Sequence, residues 1–317
     1  MGDPAGIGPE IIAHAVNTPA VREICIPIIV GVREVLEDAF RLTGHLIKIK
    51  EITSPSALDP SPGVVNVVDI AAKANIRGKK ASAQGGAVSA ECVRRSVEFA
   101  ISRQVDAIVT APISKEAFKE AGLKWPGHTE MLAELTDTTD YAMLLVGGPL
   151  RIILVTIHAA LRAVPDLITQ EAVLKTIVLA KKACDMLGMK SPRIAVAGLN
   201  PHAGEAGIFG AEETAEISPA IEKAIKQGLP VTGPYPPDTI FHKAYEGEFD
   251  IVVCMYHDQG LIPLKMISFD TGVNVTVGLP LIRTSPGHGT AYDIAWKGIA
   301  RPTSMVEAIK LASRLQI

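Results

Sequence analysis

Residues 251–260 have the sequence IVVCMYHDQG, in which an apolar run is followed at once by a histidine, an aspartate and a glycine. A short apolar run with such a boundary predicts a buried strand. Similar runs alternate with stretches whose apolar residues recur at three- and four-residue spacing, which predict helices. The predicted strands are 26–30, 64–68, 107–110, 152–156, 194–197 and 251–255, and the predicted helices are 32–42, 87–102, 169–187, 212–226 and 304–315.

The alternation of strand and helix decides the fold class. Strand, helix and strand in repeated order predict parallel sheets covered by helices. A chain of 317 residues exceeds the size at which one core stops growing, so we expect two α/β/α lobes with a cleft between them. The polar segment 125–140 separates two sheet-like stretches, which predicts one lobe of residues 1–125 and 282–317 and another of residues 126–281.

Composition and charge exclude several classes of protein. Lys and Arg number 31 against 34 Asp and Glu, and a net charge of -3 gives no basic surface for nucleic acid. The four cysteines lie far apart without a CxxC pair, which argues against a disulfide framework or a thiolate zinc site. No stretch reaches the roughly 18 uninterrupted apolar residues of a membrane span, so we expect a cytoplasmic protein without a membrane partner.

Polar residues near predicted strand ends suggest a metal site. His158, His202 and His257 each come a few residues after a predicted strand, and α/β proteins hold ligands at the edge where parallel strands end. Three imidazoles there predict a divalent metal with an open coordination position; the alternative is three unrelated polar histidines. Asp258 either orients an imidazole or begins a turn. Asp238 has the position of a helix N-cap, with catalysis as the alternative.

Further residues suit a charged, oxygen-rich substrate. His128 and Thr129 follow a Pro-Gly pair and predict either hydrogen bonds to substrate or a helix that begins with Thr129 as its cap. Lys265, Asn274 and Arg283 are spaced by nine residues in a stretch predicted as strand. Lys and Arg are the usual partners of phosphate and carboxylate, although each residue taken alone would be a solvated surface group.

Two glycine-containing loops suit a nucleotide. Residues 2–10 (GDPAGIGPE) have the pattern of a strand-to-helix loop whose free amides can receive an anion, yet no strand precedes them. We therefore expect a short apolar strand upstream of Met1. Residues 287–291 (GHGTA) predict a small-residue loop that enters a helix ending at Gly298. No GxGxxG follows a strand, so a dinucleotide must be bound without the Rossmann fingerprint.

Four segments together resemble the PdxA family, the 4-hydroxythreonine-4-phosphate dehydrogenases. They are residues 2–10 (GDPAGIGPE), 126–130 (PGHTE), 198–205 (GLNPHAGE) and 255–260 (MYHDQG). The start of the chain and residues 288–300 also resemble the wider isocitrate and isopropylmalate dehydrogenase group, which binds its dinucleotide without that fingerprint. The resemblance implies this fold and a homodimer whose active sites take residues from both subunits.

The resemblance also implies an activity and a set of site residues. NAD or NADP, with one Zn, Mg, Mn or Co ion, would serve to oxidise the C3 hydroxyl of a small 4-phosphorylated 3-hydroxy acid, whose 3-oxo product loses carbon dioxide. The metal ligands would be His158, His202 and His257; the substrate residues His128, Thr129, Lys265, Asn274 and Arg283; the cofactor residues Gly6, Gly8, His288, Gly289, Thr290 and Ala291; and the candidate catalytic residues Lys265 and Asp238.

Within the family, three segments look closer to the branch that acts on 4-phospho-D-threonate and 4-phospho-D-erythronate. They are residues 140–143, 209–214 and 244–247. Two other functions stay open. One is a metal-dependent hydrolase or lyase that uses the same histidines without NAD, and the other is a sensor that binds a phosphorylated acid without catalysis.

Overall fold

The computed structural model describes residues 1–71 and 79–317. The chain divides into two compact units, of which the first comprises Met1–Thr139 with Leu279–Arg314 and the second Asp140–Gly278 with Leu315–Ile317. Both units contain helices and strands, so the predicted α/β class is confirmed. The lobe limits expected from the sequence, at residues 125 and 282, stay a prediction.

The helices follow the predicted spacing of apolar residues. Ser82, Ser114 and Thr169 cap the helices behind them, since each side-chain oxygen accepts a backbone N–H three residues further on. The helices are α1 Gly8–Ala15, α2 Pro19–Arg22, α3 Arg33–Leu42, α4 Ala83–Ile101, α5 Lys115–Glu120, α6 His128–Leu135, α7 Val164–Leu167, α8 Gln170–Met186, α9 Ser218–Lys226, α10 Ile240–Tyr245, α11 His257–Ser268 and α12 Thr303–Ala312. Shorter turns occupy Pro55–Ala57, Leu161–Ala163 and Pro201–Gly207, and a π-helix occupies Glu213–Ile217.

The predicted strands are present, each within two residues of its expected limits. The strands are β1 Ile28–Gly31, β2 Lys48–Glu51, β3 Val64–Asp69, β4 Ala107–Val109, β5 Ala142–Gly147, β6 Leu150–Leu154, β7 Ile194–Ala197, β8 Val231–Tyr235, β9 Ile251–Cys254, β10 Val273–Val277 and β11 Ile282–Pro286. Two of the strands that were not predicted, β2 and β8, lack the short apolar run by which the other strands were recognised. β2 alternates charged and apolar residues and is partly exposed, and β8 contains a glycine and a proline.

The first unit is built on parallel strands. β1, β3 and β2 form a sheet in that order, and β4 pairs in parallel with β11. A core of aliphatic side chains from α1, α3 and the sheet buries Ile11, Leu36 and Val67 completely.

The second unit has a mixed sheet, with strand order β10-β5-β6-β9-β7-β8. The strands from β6 to β8 are parallel, as predicted, whereas β5 pairs antiparallel with both β6 and β10. The expectation of a wholly parallel sheet is therefore wrong for β5, which runs opposite to both of its neighbours. The cause is a tight hairpin, in which Gly148 has a φ of +55° that glycine tolerates without strain.

Two predicted elements near the C-terminus are also corrected. Lys265 lies in α11, not in a strand, because Leu261, Leu264 and Ser268 form its buried face at helical spacing. No helix ends at Gly298; residues 292–298 lie in turns. The reason is that the buried carboxylate of Glu10 accepts backbone N–H groups that a helix would have used, from Trp296 and from Gly298.

Cys25, Cys92, Cys184 and Cys254 are all free thiols, and three of them are buried. Across residues 1–71 and 79–317, no helix has both the length and the apolar character needed to cross a membrane.

Candidate active site

Four polar side chains follow four neighbouring strands of the second unit. In spatial order the strands are β6, β9, β7 and β8, all parallel, and the residues behind them are His158, His257, His202 and Asp238. Parallel strands end at one edge of a sheet, so the topology brings these four residues to the same edge. The predicted sheet-edge placement of the histidines is confirmed.

His158 and His257 lie side by side. Their ring centroids are 5.9 Å apart. Thr156, two residues before His158, donates through Oγ1 to the carbonyl of Met255 at 2.8 Å, which ties the two strand ends together. His257 Nδ1 is 2.7 Å from Asp258 Oδ1. A carboxylate accepts hydrogen bonds, so this contact places a proton on Nδ1 and makes Nε2 the ring nitrogen that would bind a ligand.

His202 lies in the turn Pro201–Gly207, which has an unusual backbone. Residues 202–206 all have positive φ, with values from 41° to 79°. The ring of His202 packs against Phe209 at a centroid distance of 5.9 Å. Within the described residues of one chain, no three His, Cys, Asp or Glu side chains form a group that could hold a metal ion.

The second unit contributes two of the predicted substrate residues. Lys265 is exposed on α11. Asn274 lies in β10 opposite Leu145, and its Oδ1 atom is buried without a hydrogen-bond partner. An unpaired buried amide oxygen is costly, and a ligand donor would satisfy it.

The other substrate residues lie in the first unit. Arg283 is buried in β11, and its Nη2 donates to Thr110 Oγ1 at 2.8 Å. His128 begins α6, and its Nε2 atom is buried without a hydrogen-bond partner. The N-cap of α6 is Gly127 and makes no side-chain bond, so the expected capping role of Thr129 is wrong. The substrate role of Thr129 stays a prediction.

Burial lowers the pKa of both of these basic groups. It lowers the pKa of Arg283 to about 10, while Glu130 acts in the opposite direction. Burial and the neighbouring charge of Arg283 hold the pKa of His128 well below its usual value of 6.5. At neutral pH the pair therefore presents a guanidinium cation and a neutral imidazole with one unsatisfied nitrogen, which suits an oxyanion.

Asp238 is an exposed carboxylate at the carboxyl end of β8. The N-cap of α10 is Thr239, with no side-chain capping bond. The expectation that Asp238 caps this helix is therefore wrong, which leaves its carboxylate available at the same edge as the three histidines.

The glycines of the first loop are explained by the chain's own backbone. A Cβ atom on Gly6 would lie 2.8 Å from the carbonyl oxygen of Thr290, and one on Gly8 would lie 2.6 Å from that of Met1. The N–H of Ile7 donates to Thr290 O at 2.9 Å. These contacts join the loop to the segment at Thr290 and use amides that the sequence analysis expected to be free for an anion.

The second loop leaves more room. His288 and Gly289 are exposed, and a Cβ atom on Gly289 would meet nothing within 4 Å. Beyond Ala291, the hydroxyl of Tyr292 donates to Asp3 Oδ2 at 2.8 Å. Burial raises the pKa of Asp3 above its usual value. Because His288 and Gly289 are exposed while Gly6 and Gly8 pack against backbone, the geometry favours residues 288–291 over the first loop as a surface for direct nucleotide contact.

The comparisons with known proteins cover nearly the whole chain. The model of the family described as pyridoxal phosphate biosynthetic protein PdxA matches residues 23–312. The chain belongs to the PdxA family. The family predicted from the four motifs is thereby confirmed, and the chain is a dehydrogenase of that family.

Two curated relatives of this PdxA-family chain carry different names. The 4-hydroxythreonine-4-phosphate dehydrogenase of Trichlorobacter lovleyi is 48% identical over 322 residues, which covers 99% of this chain and 96% of the relative. The D-threonate 4-phosphate dehydrogenase of Salmonella typhimurium is 46% identical over 319 residues, which covers 99% and 97%. These identities are too similar to separate the two branches.

Solved structures agree with this membership. The crystal structure of 4-hydroxythreonine-4-phosphate dehydrogenase from Klebsiella pneumoniae matches with a TM-score of 0.90 and 44% identity, covering 99% of this chain and 96% of that one. Isocitrate dehydrogenase from Methylococcus capsulatus matches with a TM-score of 0.50 at 14% identity, covering 98% and 82%, and shows the fold alone. The predicted isocitrate dehydrogenase-like fold is confirmed.

The sequence analysis missed several residues that hold the PdxA-family site together. Gln259 is buried, accepts the N–H of Met255 at 2.6 Å and donates to the carbonyl of Gly198 at 2.7 Å. Glu213 is also buried and accepts backbone N–H groups before His202. A signal for Glu213 was available, because it stands four residues before the buried Ile217 on the apolar face of a predicted helix.

Proposed function

We propose that this chain catalyses the NAD- or NADP-dependent oxidation of the C3 hydroxyl of a small 4-phosphorylated 3-hydroxy acid, followed by decarboxylation, with the help of one divalent metal ion. The observation that carries the proposal is the convergence of His158, His257, His202 and Asp238 on one edge of a parallel sheet. Membership of the PdxA family supports the reaction class.

The residues at this edge fit a divalent ion. His158 and His257 are adjacent imidazoles, and Asp258 fixes the tautomer of His257 in the way that carboxylates orient metal-binding histidines. With His202 they would provide three nitrogen ligands, a set that suits Zn or Co and is less typical of Mg or Mn. Such an ion supplies Lewis acidity that lowers the pKa of a coordinated hydroxyl.

We infer that the active site is completed in a homodimer. One described chain contains no group of three metal-ligating side chains. Helix α11, which begins at His257, exposes a row of apolar side chains at helical spacing: Ile262, Met266 and Phe269 are 60%, 82% and 76% exposed. Exposed apolar rows of this kind are typical of subunit interfaces, and this one adjoins the metal residues.

The expected substrate residues offer groups that suit an anionic, hydroxylated acid. In the first unit, the buried Arg283 and the unpaired Nε2 of His128 suit a phosphate or carboxylate. In the second unit, Lys265 supplies an exposed cation and Asn274 an unpaired amide oxygen that accepts from a substrate hydroxyl or amine. Thr129 is the remaining expected substrate contact.

The chain's own residues would also move the proton. Asp238 and Lys265 are the two candidates to accept the C3 hydroxyl proton as hydride leaves for the nicotinamide ring; Asp238 would do so as a carboxylate, whereas Lys265 would do so only as the neutral amine, in place of its role as a cation. NAD or NADP supplies the hydride acceptor; residues 288–291 are its expected direct contacts, and the loop at Gly6 and Gly8 would support them through its contacts with Thr290. The product is a 3-oxo acid whose carboxylate is beta to a carbonyl, so carbon dioxide departs readily when a cation stabilises the enolate.

A turnover screen tests the proposal. Purified protein is mixed with Zn²⁺, Mn²⁺, Co²⁺ or Mg²⁺, with NAD or NADP, and with 4-hydroxythreonine 4-phosphate, 4-phospho-D-threonate or 4-phospho-D-erythronate, and reduced nicotinamide is followed by its absorbance. We expect turnover with one of the two 4-phospho-D-sugar acids. The variants H158A, H202A and H257A should each lose both this turnover and the bound metal. Full metal occupancy in all three variants, or cleavage without reduced nicotinamide, would contradict the proposal.

A further inference from the structure

The turn that carries His202 has a backbone that must be held in place. Residues 202–206 adopt five consecutive left-handed conformations, and only Gly204 among them lacks a Cβ atom. Residues with a Cβ atom rarely adopt this conformation, and then singly. Four such residues within one five-residue turn, two on each side of Gly204, imply that the surrounding contacts fix the turn.

The contacts come mainly from Glu213. Its side chain is buried, and Oε1 accepts the backbone N–H groups of Leu199 and Asn200, both at 2.7 Å. Oε2 accepts from Asn200 Nδ2 at 2.9 Å. The same carboxylate adjoins the far side of the turn, since a Cβ atom on Gly204 would lie 2.6 Å from Glu213 Oε2. Glu213 therefore contacts the chain on both sides of His202.

The local backbone of Glu213 is unusual as well. The residue begins the π-helix Glu213–Ile217, which leads into α9. π-helical turns are rare and recur at functional sites. Ile217 is fully buried in the same segment, so the π turn anchors the carboxylate to the core of the second unit.

We propose that Glu213 is a positioning residue that sets the metal affinity of the site by fixing the turn on which His202 is presented. The inference rests on the proposed metal role of His202. Partners that orient metal ligands typically change affinity by about 10–100-fold when they are replaced. Glu213 acts through the backbone and not on the imidazole, so we expect an effect near the lower end of that range.

The test is a titration of the full-length protein with Co²⁺, followed by the ligand-field absorbance of the bound ion. In E213Q, the amide oxygen still accepts the backbone N–H groups, but an NH2 group replaces Oε2 and faces the NH2 group of Asn200. We expect the Co²⁺ dissociation constant to rise by about tenfold and the absorption band to change shape.

The matched control is E216Q. Glu216 belongs to the same π-helix, and its Oε2 accepts the N–H of Gln170 at 2.6 Å, away from the turn that carries His202. A purely structural effect of removing a carboxylate from this helix would lower the thermal midpoint in both variants. Only E213Q should change the affinity and spectrum of Co²⁺.

Two further variants make the outcome decisive. G204A introduces a Cβ atom against Glu213 Oε2 at a residue with φ of +79°. It disturbs the same contact from the side of the turn and should also weaken Co²⁺ binding.

H202A tests the proposed function itself. If H202A binds Co²⁺ like the unmodified protein, the metal role of His202 fails and the inference fails with it. If H202A loses Co²⁺ while folded E213Q or G204A binds it normally, only the role of Glu213 is refuted. Should E213Q not fold, G204A alone decides.

Discussion

Replacing Gln259 with methionine should destabilise the second unit and loosen both strand ends that carry metal residues. Gln259 is 8% exposed and connects Met255, at the end of β9, with Gly198, at the end of β7. Methionine fills a similar volume, so the substitution leaves little cavity. It does remove the partner of one buried N–H group and of one buried carbonyl group.

The magnitude follows from those two groups. A buried polar group left without a partner costs roughly 1–3 kcal/mol. Two such groups predict a loss of about 2–6 kcal/mol in the free energy of unfolding, a large share of the roughly 5–15 kcal/mol typical of a native protein. Because Gln259 joins the strand ends that precede His202 and His257, its replacement should weaken the structural connection between these two histidines.

The assay is urea unfolding at pH 7, followed by far-ultraviolet circular dichroism. The control is Q227M, because Gln227 is exposed at the end of α9 and such surface changes usually stay within about 0.5 kcal/mol. If Q259M and Q227M unfold at the same urea concentration, the bridge between the strand ends contributes nothing and the reasoning is refuted.

Three further outcomes are expected. K265A should raise the Michaelis constant for the phosphorylated acid by about tenfold, since a charge-assisted contact contributes roughly 1.5–3 kcal/mol. The pKa of His128 is lowered in the folded state, so below about pH 6.5 the unfolded chain binds a proton that the folded chain does not. Stability should therefore fall as pH drops from 6.5 to 5, and H128N should flatten that fall in thermal melts. The double variant M266K/F269K should shift the protein from dimer to monomer in sedimentation velocity.

Each of these outcomes has a matched control or a contrary result. K190A removes an exposed lysine elsewhere in the second unit and should leave the Michaelis constant unchanged. An equal pH dependence in H128N and the unmodified protein would contradict the assignment to His128. L46K changes a fully exposed leucine in the first unit and should not affect sedimentation; a dimer that survives M266K/F269K would show that α11 is not the interface.

Much of the fold could be predicted because short-range patterns decided it. The strand 251–255 and the helix 169–187 are recognisable from apolar spacing alone, and they occur within a residue or two of the predicted limits. The antiparallel pairing of β5 and β10 could not be predicted in this way. It depends on a hairpin turn at Gly148 and on contacts between strands that are more than one hundred residues apart in sequence.

The same distinction applies to the site. The strand-end positions of His158, His202 and His257 follow from topology, so the sequence was sufficient to place them at one edge. Glu213 and Gln259 were missed because their roles depend on backbone groups that only the folded turn presents. Glu213 lies on the apolar face of a predicted helix, which offered a signal, whereas Gln259 lies outside the predicted helices and only its burial distinguishes it.

The stoichiometry of the reaction tests the central claim most directly. Reduced nicotinamide and carbon dioxide are measured in the same sample of enzyme, NAD, Co²⁺ and 4-phospho-D-threonate, with 4-hydroxythreonine 4-phosphate in a parallel sample and EDTA in a third. We expect one reduced nicotinamide and one carbon dioxide for each substrate molecule consumed, and neither product with EDTA. Consumption of substrate without reduced nicotinamide would contradict the oxidation and would support a hydrolase or lyase in its place.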